Sequence, residues 1–152
     1  MSDRMAKPED TVTGTMIVVV SGREQCTLLL HRAGLGRGFA GDWAWTPPTG
    51  RREPGERVES CAARELREET GLVATPARTP HGTEAFPIFL LEVDEVPEVR
   101  IDFDDEHDMF RWVGLDEAAA LVAPAAVREP MLACLREVAA RWAQPCSTGR
   151  QV

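Results

Sequence analysis

Tyrosine is missing from this chain of 152 residues, lysine occurs once, at Lys7, and no stretch gathers basic side chains. Nucleic-acid backbones are gripped by clustered lysine and arginine. The missing basic run, with a formal net charge of -8, therefore argues against a nucleic-acid polymer as partner. A small anionic substrate stays open if cations bridge it to the acids. Paired cysteines are also lacking. Cys26, Cys61, Cys134 and Cys146 stand far apart, without the short spacings of zinc or redox motifs, and are expected to be reduced thiols. No segment approaches the roughly 20 apolar residues that cross a bilayer, and Met1 to Asp10 is polar without an apolar signal core. A cytoplasmic protein with no membrane partner is the expectation. There is no internal repeat and no low-complexity linker, and whether two copies pair as a homodimer is left open.

What is present is an ordinary globular balance, 43% hydrophobic and 28% charged, in a length that suits one domain with one core. Residues 1–10 are expected to be a flexible start, 11–142 the folded domain and 143–152 a flexible tail. Thr11 to Val20 and Thr27 to Leu30 are β-branched and apolar, with a turn at Ser21 to Gln25, and predict a hairpin. Ala33 to Pro54, rich in Gly, Pro and Trp, predicts a long ordered loop of the kind that carries function. Val58 to Thr70 lacks Gly and Pro and stops at Gly71, which predicts a helix. Ala85 to Val93 and Met109 to Val113 read as strands with an acidic loop, Asp102 to Asp108, before the second. Helices follow at Asp116 to Val122, with Asp116 as the cap, and at Val127 to Trp142. This order predicts an α/β fold with a mixed β-sheet between helices.

Glu65, Glu68 and Glu69 stand at i, i+3 and i+4, within about a 100° arc of a helix. Like charges so placed destabilise a helix unless something compensates. A hard divalent cation does so, because it prefers carboxylate oxygens and bridges to phosphates. A solvated face balanced by Arg64 and Arg67 is the plainer alternative. The surroundings decide between them. Gly50, five residues, Glu56, seven residues and then Arg64-Glu65-Leu66-Arg67-Glu68-Glu69-Thr70-Gly71-Leu72 fill every fixed position of the Nudix box. A chance match is on the order of one in 10⁵ or rarer. Read physically, Gly50 and Gly55 let the intervening loop turn back on the helix, and Cys61 and Ala62 let that helix pack closely.

On these residues the chain resembles the Nudix hydrolases, and the resemblance implies their α/β/α sandwich over about residues 11 to 142. It implies a pyrophosphohydrolase: water attacks phosphorus in a nucleoside diphosphate linked to another group, assisted by Mg²⁺ or Mn²⁺. Glu68 and Glu69 are implied as principal metal ligands, Glu65 as a further ligand or water-activating base, and Glu56 as an outer acid. Arg64 is implied to orient the glutamates. The carbonyl before the box glycine, here that of Thr49, is an additional ligand in many relatives. A later acid completes the set, with Glu106 favoured and Asp104 or Asp105 as alternatives, because Glu106-His107 before Phe110-Arg111-Trp112-Val113 resembles the segment in hydrolases of nucleoside triphosphates and dinucleoside polyphosphates. Those are the expected substrates. ADP-ribose or a sugar nucleotide is the alternative, Pro87 lying 15 residues past the box as in ADP-ribose pyrophosphatases, and a non-catalytic nucleotide sensor is the rival from another class. The tyrosine of some dinucleoside polyphosphate hydrolases has no counterpart here, so Phe86 or Phe89 would have to substitute.

Around the box, Trp43, Trp45 and Phe39 are candidates to stack on a base, although core packing is favoured, with the two tryptophans pointing to one face of a strand. Arg32, Arg37, Arg51 and Arg52 are candidate phosphate partners, Arg51 foremost. The scattered His31, His81 and His107 give little support to a histidine metal site or a nucleophilic triad. His107 draws attention only as a neighbour of Glu106.

Overall fold

Alternation along Met16-Ile17-Val18-Val19-Val20 sets the layers, since successive strand residues face opposite sides of a sheet. In the computed structural model, which describes residues 11–101 and 105–142, these residues lie in β1 (Gly14–Ser21). The predicted flexible ends, Asp104 and Cys146 lie outside the described residues. Ile17 and Val19 pack with Leu28, Leu30, Val58, Ala62, Leu66 and Phe89 on one face. Met16, Val18 and Val20 pack with Leu29, Trp45, Ile88, Met131 and Leu135 on the other. Each fully buried Leu, Ile or Val contributes about 1.5–3 kcal/mol, so two such layers hold the sheet firmly between helices.

β2 (Cys26–Arg32) returns antiparallel to β1, pairing Val20 with Thr27 and Ser21 with Cys26. Beyond that turn the two strands part. Into the gap runs the segment expected to be a long loop, which the structure corrects. A short 3₁₀ turn at Ala33–Leu35 is followed by β3 (Trp45–Thr46) along β2 and β4 (Thr49–Arg51) along β1. Pro47 and Pro48 bridge them, and Ile17 N–H donates to the Pro48 carbonyl at 2.8 Å. Gly and Pro had obscured two strands too short to show a period.

α1 (Val58–Thr70) forms where the sequence predicts, and Gly71 closes it with φ 77°. Its small residues explain its close approach: Cys61 and Ala62 are fully buried, and the Cys61 Sγ lies 3.4 Å from Thr15 Oγ1 of β1. β5 (Ala77–Gly82) has no counterpart among the expected elements, being largely polar and interrupted by Pro80. β6 (Pro87–Val93) pairs parallel with β1 from Met16↔Ile88 to Ser21↔Val93, and β7 (His107–Val113) pairs antiparallel with β2. β7 thus begins at His107, inside the span expected to be acidic loop. α2 (Leu115–Leu121) and α3 (Ala125–Trp142) cover the second face. The expected cap at Asp116 is corrected: Gly114 occupies the cap position and Asp116 lies in the first turn. The product is a mixed sheet, β3-β2-β1-β6-β5 with β4 on β1 and β7 on β2, between α1 and the α2–α3 pair.

Candidate active site

One guanidinium gathers the acids of α1 and its preceding loop. Arg64 meets Glu56 bidentately, Nε to Oε2 at 2.7 Å and Nη2 to Oε1 at 3.0 Å. Its Nη1 donates to Glu65 at 2.9 Å and to Glu68 at 3.0 Å, and Nη2 also reaches the Arg51 carbonyl at 2.9 Å. Only a planar fork with five donors satisfies so many oxygens at once. The loop is shaped to meet it. Gly55 turns at φ 75°, a conformation that disfavours a side chain, and Glu53 N–H donates to Glu56 at 3.0 Å. Gly50 has a different role from the turn expected of it: a Cβ there would collide with the Glu65 carboxylate, so glycine is needed for close approach.

The electrostatics follow from this packing. The Arg64 hydrogen bond holds the Glu56 carboxyl below its ordinary value, outweighing partial burial. Burial raises Glu65 to about 7, against the pull of Arg64, and the charges of Glu68 and Glu106 add to the rise. Hydrogen bonding to Glu56 raises Arg64 above its ordinary value. The loop acid Glu56 and the helix acid Glu65 therefore differ in proton affinity, set by their surroundings.

Glu69 meets β4. It is 2% exposed and accepts a hydrogen bond from Thr49 N–H at 2.9 Å. Opposite stand Glu106 and His107. Each of the three residues offers one ligand atom, and these atoms all lie within 4.8 Å of one another. Around an ion with bonds of ~2.1 Å, opposing ligand atoms are ~4.2 Å apart, so a small inward movement of the side chains would accommodate a divalent ion. The donor set suits such an ion. Asp105 is exposed.

Thr49 also lines a cavity of about 340 Å³ on the opposite face of the sheet, formed with Met16, Trp43, Phe86, Ile88, Val127 and Pro130. A cavity of this size and apolar character suits a flat ring. The expectation that Trp43 and Trp45 share one face is corrected. Trp45 is 5% exposed in the core, edge-on to His31 and beneath Arg111. Trp43 sits before β3 with φ 69°, outside strand geometry, and is 49% exposed. Phe89 is fully buried and cannot stand in for a stacking tyrosine, whereas Phe86 reaches the cavity. Arg51 and Arg52 line a neighbouring recess with Phe86, while Arg32 and Arg37 are exposed.

The NUDIX domain family model matches residues 10–137. The chain belongs to this family. It is 36% identical over 105 residues to the asymmetrical bis(5'-nucleosyl)-tetraphosphatase of Rattus norvegicus, covering 61% of this chain and 68% of that protein. The fold is similar to that of the E. coli dihydroneopterin triphosphate pyrophosphohydrolase (TM-score 0.68, 18% identity, 86% of this chain and 97% of that one). It is also similar to a C. elegans Ap4A hydrolase (TM-score 0.63, 23% identity, 86% and 98%). Family and relatives make this NUDIX chain a pyrophosphohydrolase. Among the described residues, no helix is long and apolar enough to cross a membrane.

Sequence reasoning could single out the box acids because their spacing is local. It missed the cavity, whose walls come from β1, β6, α3 and the segment before β3. It also missed that Thr49 offers its N–H to Glu69, which no side-chain pattern encodes.

Proposed function

We propose that this chain hydrolyses a phosphoanhydride bond of a small nucleotide, a dinucleoside polyphosphate or a nucleoside triphosphate, with Mg²⁺ or Mn²⁺ bound at Glu69, Glu106 and the α1 carboxylates Glu65 and Glu68. The observation that carries the reading is the junction at Thr49, where an apolar cavity of about 340 Å³ adjoins the acid cluster. Bound there, a divalent ion would supply polarisation of phosphate oxygens and a lowered pKa for coordinated water. Trp43 and Phe86 hold the base, Arg51 meets outlying phosphate oxygens, and Arg64 fixes Glu56, Glu65 and Glu68 in one array. With its carboxyl raised to about 7, Glu65 is suited to accept a proton from the attacking water near neutral pH. The buried thiols Cys26, Cys61 and Cys134 are free, which suits a reducing cytoplasmic setting.

The test is phosphate and pyrophosphate release from dinucleoside polyphosphates, nucleoside triphosphates, ADP-ribose and sugar nucleotides, with either metal or with a chelator. Metal-dependent cleavage of one of the first two classes is expected. Cleavage confined to ADP-ribose or sugar nucleotides, or silence across the panel, would overturn the reading. Glu68→Gln and Glu69→Gln are each expected to lower kcat by at least ~100-fold with the fold retained, because a ligand charge is lost without loss of core volume. Circular dichroism beside the kinetics separates the two effects.

A further inference from the structure

The start of β7 is irregular. Glu106, in the bend before the strand, and His107, its first residue, each bring a ligand atom within 4.8 Å of one on Glu69. The ladder shows the irregularity. Arg32 pairs with His107 but His31 pairs with Met109, leaving Asp108 as an extra residue in β7. Such a bulge re-aims the side chains around it. The bulge is pinned on both flanks: Ala33 N–H donates to the Glu106 carbonyl at 2.8 Å, and the Asp108 carboxylate lies 2.7 Å from the Nδ1 of buried His31. A firmly held backbone thus presents an imidazole beside two carboxylates.

We infer that His107 is a direct ligand of the metal held by Glu69 and Glu106, so that this centre has a mixed nitrogen and oxygen donor set. The inference rests on the metal-dependent reading above and adds a ligand that the box does not contain. Carboxylate and water oxygens suit Mg²⁺, whereas imidazole nitrogen strengthens binding of Co²⁺, Ni²⁺ and Zn²⁺. The centre therefore discriminates among ions through one side chain, and His107 sets the preference for such transition ions over Mg²⁺.

Pulsed electron paramagnetic resonance of Mn²⁺ bound to the full-length protein, without nucleotide, reads the ligand directly. The wild type is expected to show modulation from one coordinated ¹⁴N, and His107→Gln to lose it. Calorimetric titration of His107→Gln should show Co²⁺ affinity falling by at least ~10-fold while Mg²⁺ affinity stays within ~3-fold. Bound Mn²⁺ without nitrogen modulation in the wild type, or modulation that persists in His107→Gln, would overturn the ligand assignment and leave the hydrolase reading standing. Failure of the wild type to bind Mn²⁺ at all would overturn both. Because the decisive spectrum is that of the wild type, a folding defect in the variant cannot imitate failure.

Discussion

At Gly50 a single added methyl would enter the space of the Glu65 carboxylate. That carboxylate is the far end of a flexible side chain and can swing aside, so Gly50→Ala is expected to cost only ~1 kcal/mol of stability. Its effect on turnover is expected to be far larger, about 100-fold, because displacing a reacting group by about an ångström costs that much. Thermal melting and kcat measured together check this; parallel losses in both would show that Gly50 serves the fold alone. The same residue marks a limit of sequence reading. The box shows glycine at position 50, but it does not say whether the backbone needs a left-handed turn, as at Gly55 with φ 75°, or merely room. That distinction depends on a side chain 15 residues later.

The helix α1 joins the acid array to the core. Leu66 is fully buried, with Val58 and Ala62 in the same apolar layer, on a stripe that adjoins the buried Glu69. Leu66→Ala should therefore lower stability by about 2–5 kcal/mol, read from denaturant midpoints. A loss below ~1 kcal/mol would mean that α1 is held mainly by its polar contacts. α1 was legible from end to end because its signals are local: an uninterrupted helical composition and a terminating glycine at Gly71. β3 and β4 were not, since two- and three-residue strands exist only through partners on β2 and β1. β5 was missed for a related reason: its exposed, proline-containing sequence gains strand form from pairing with β6. Glu106 was named through its resemblance to a known segment, and its proximity to Glu69 and the bulge at Asp108 that follows it are visible only in the structure.

For the molecule as a whole, the raised Glu65 carboxyl predicts how stability responds to pH. Burial lifts it from 4.5 to about 7. Above pH 4.5 the unfolded chain releases a proton that the folded protein keeps. This group's contribution is therefore full below pH 4.5 and is lost as pH rises through about 7. Glu56, whose carboxyl is lowered, works in the opposite sense, but it is shared by wild type and Glu65→Gln and cancels in their difference. In metal-free protein, the Tm of the wild type relative to Glu65→Gln should fall between pH 4.5 and 7 and level off above. A difference independent of pH would refute the raised value. The parting of β1 from β2 has a last consequence. The apolar cavity lies on the α3 face and the acid cluster on the α1 face, and both meet at Thr49 in the gap that β3 and β4 fill. On the proposed reading, a substrate held by its ring in the cavity and cut at the acid cluster would span from one face to the other past Thr49, and that fixed separation would act as a ruler for the length of chain between ring and scissile bond.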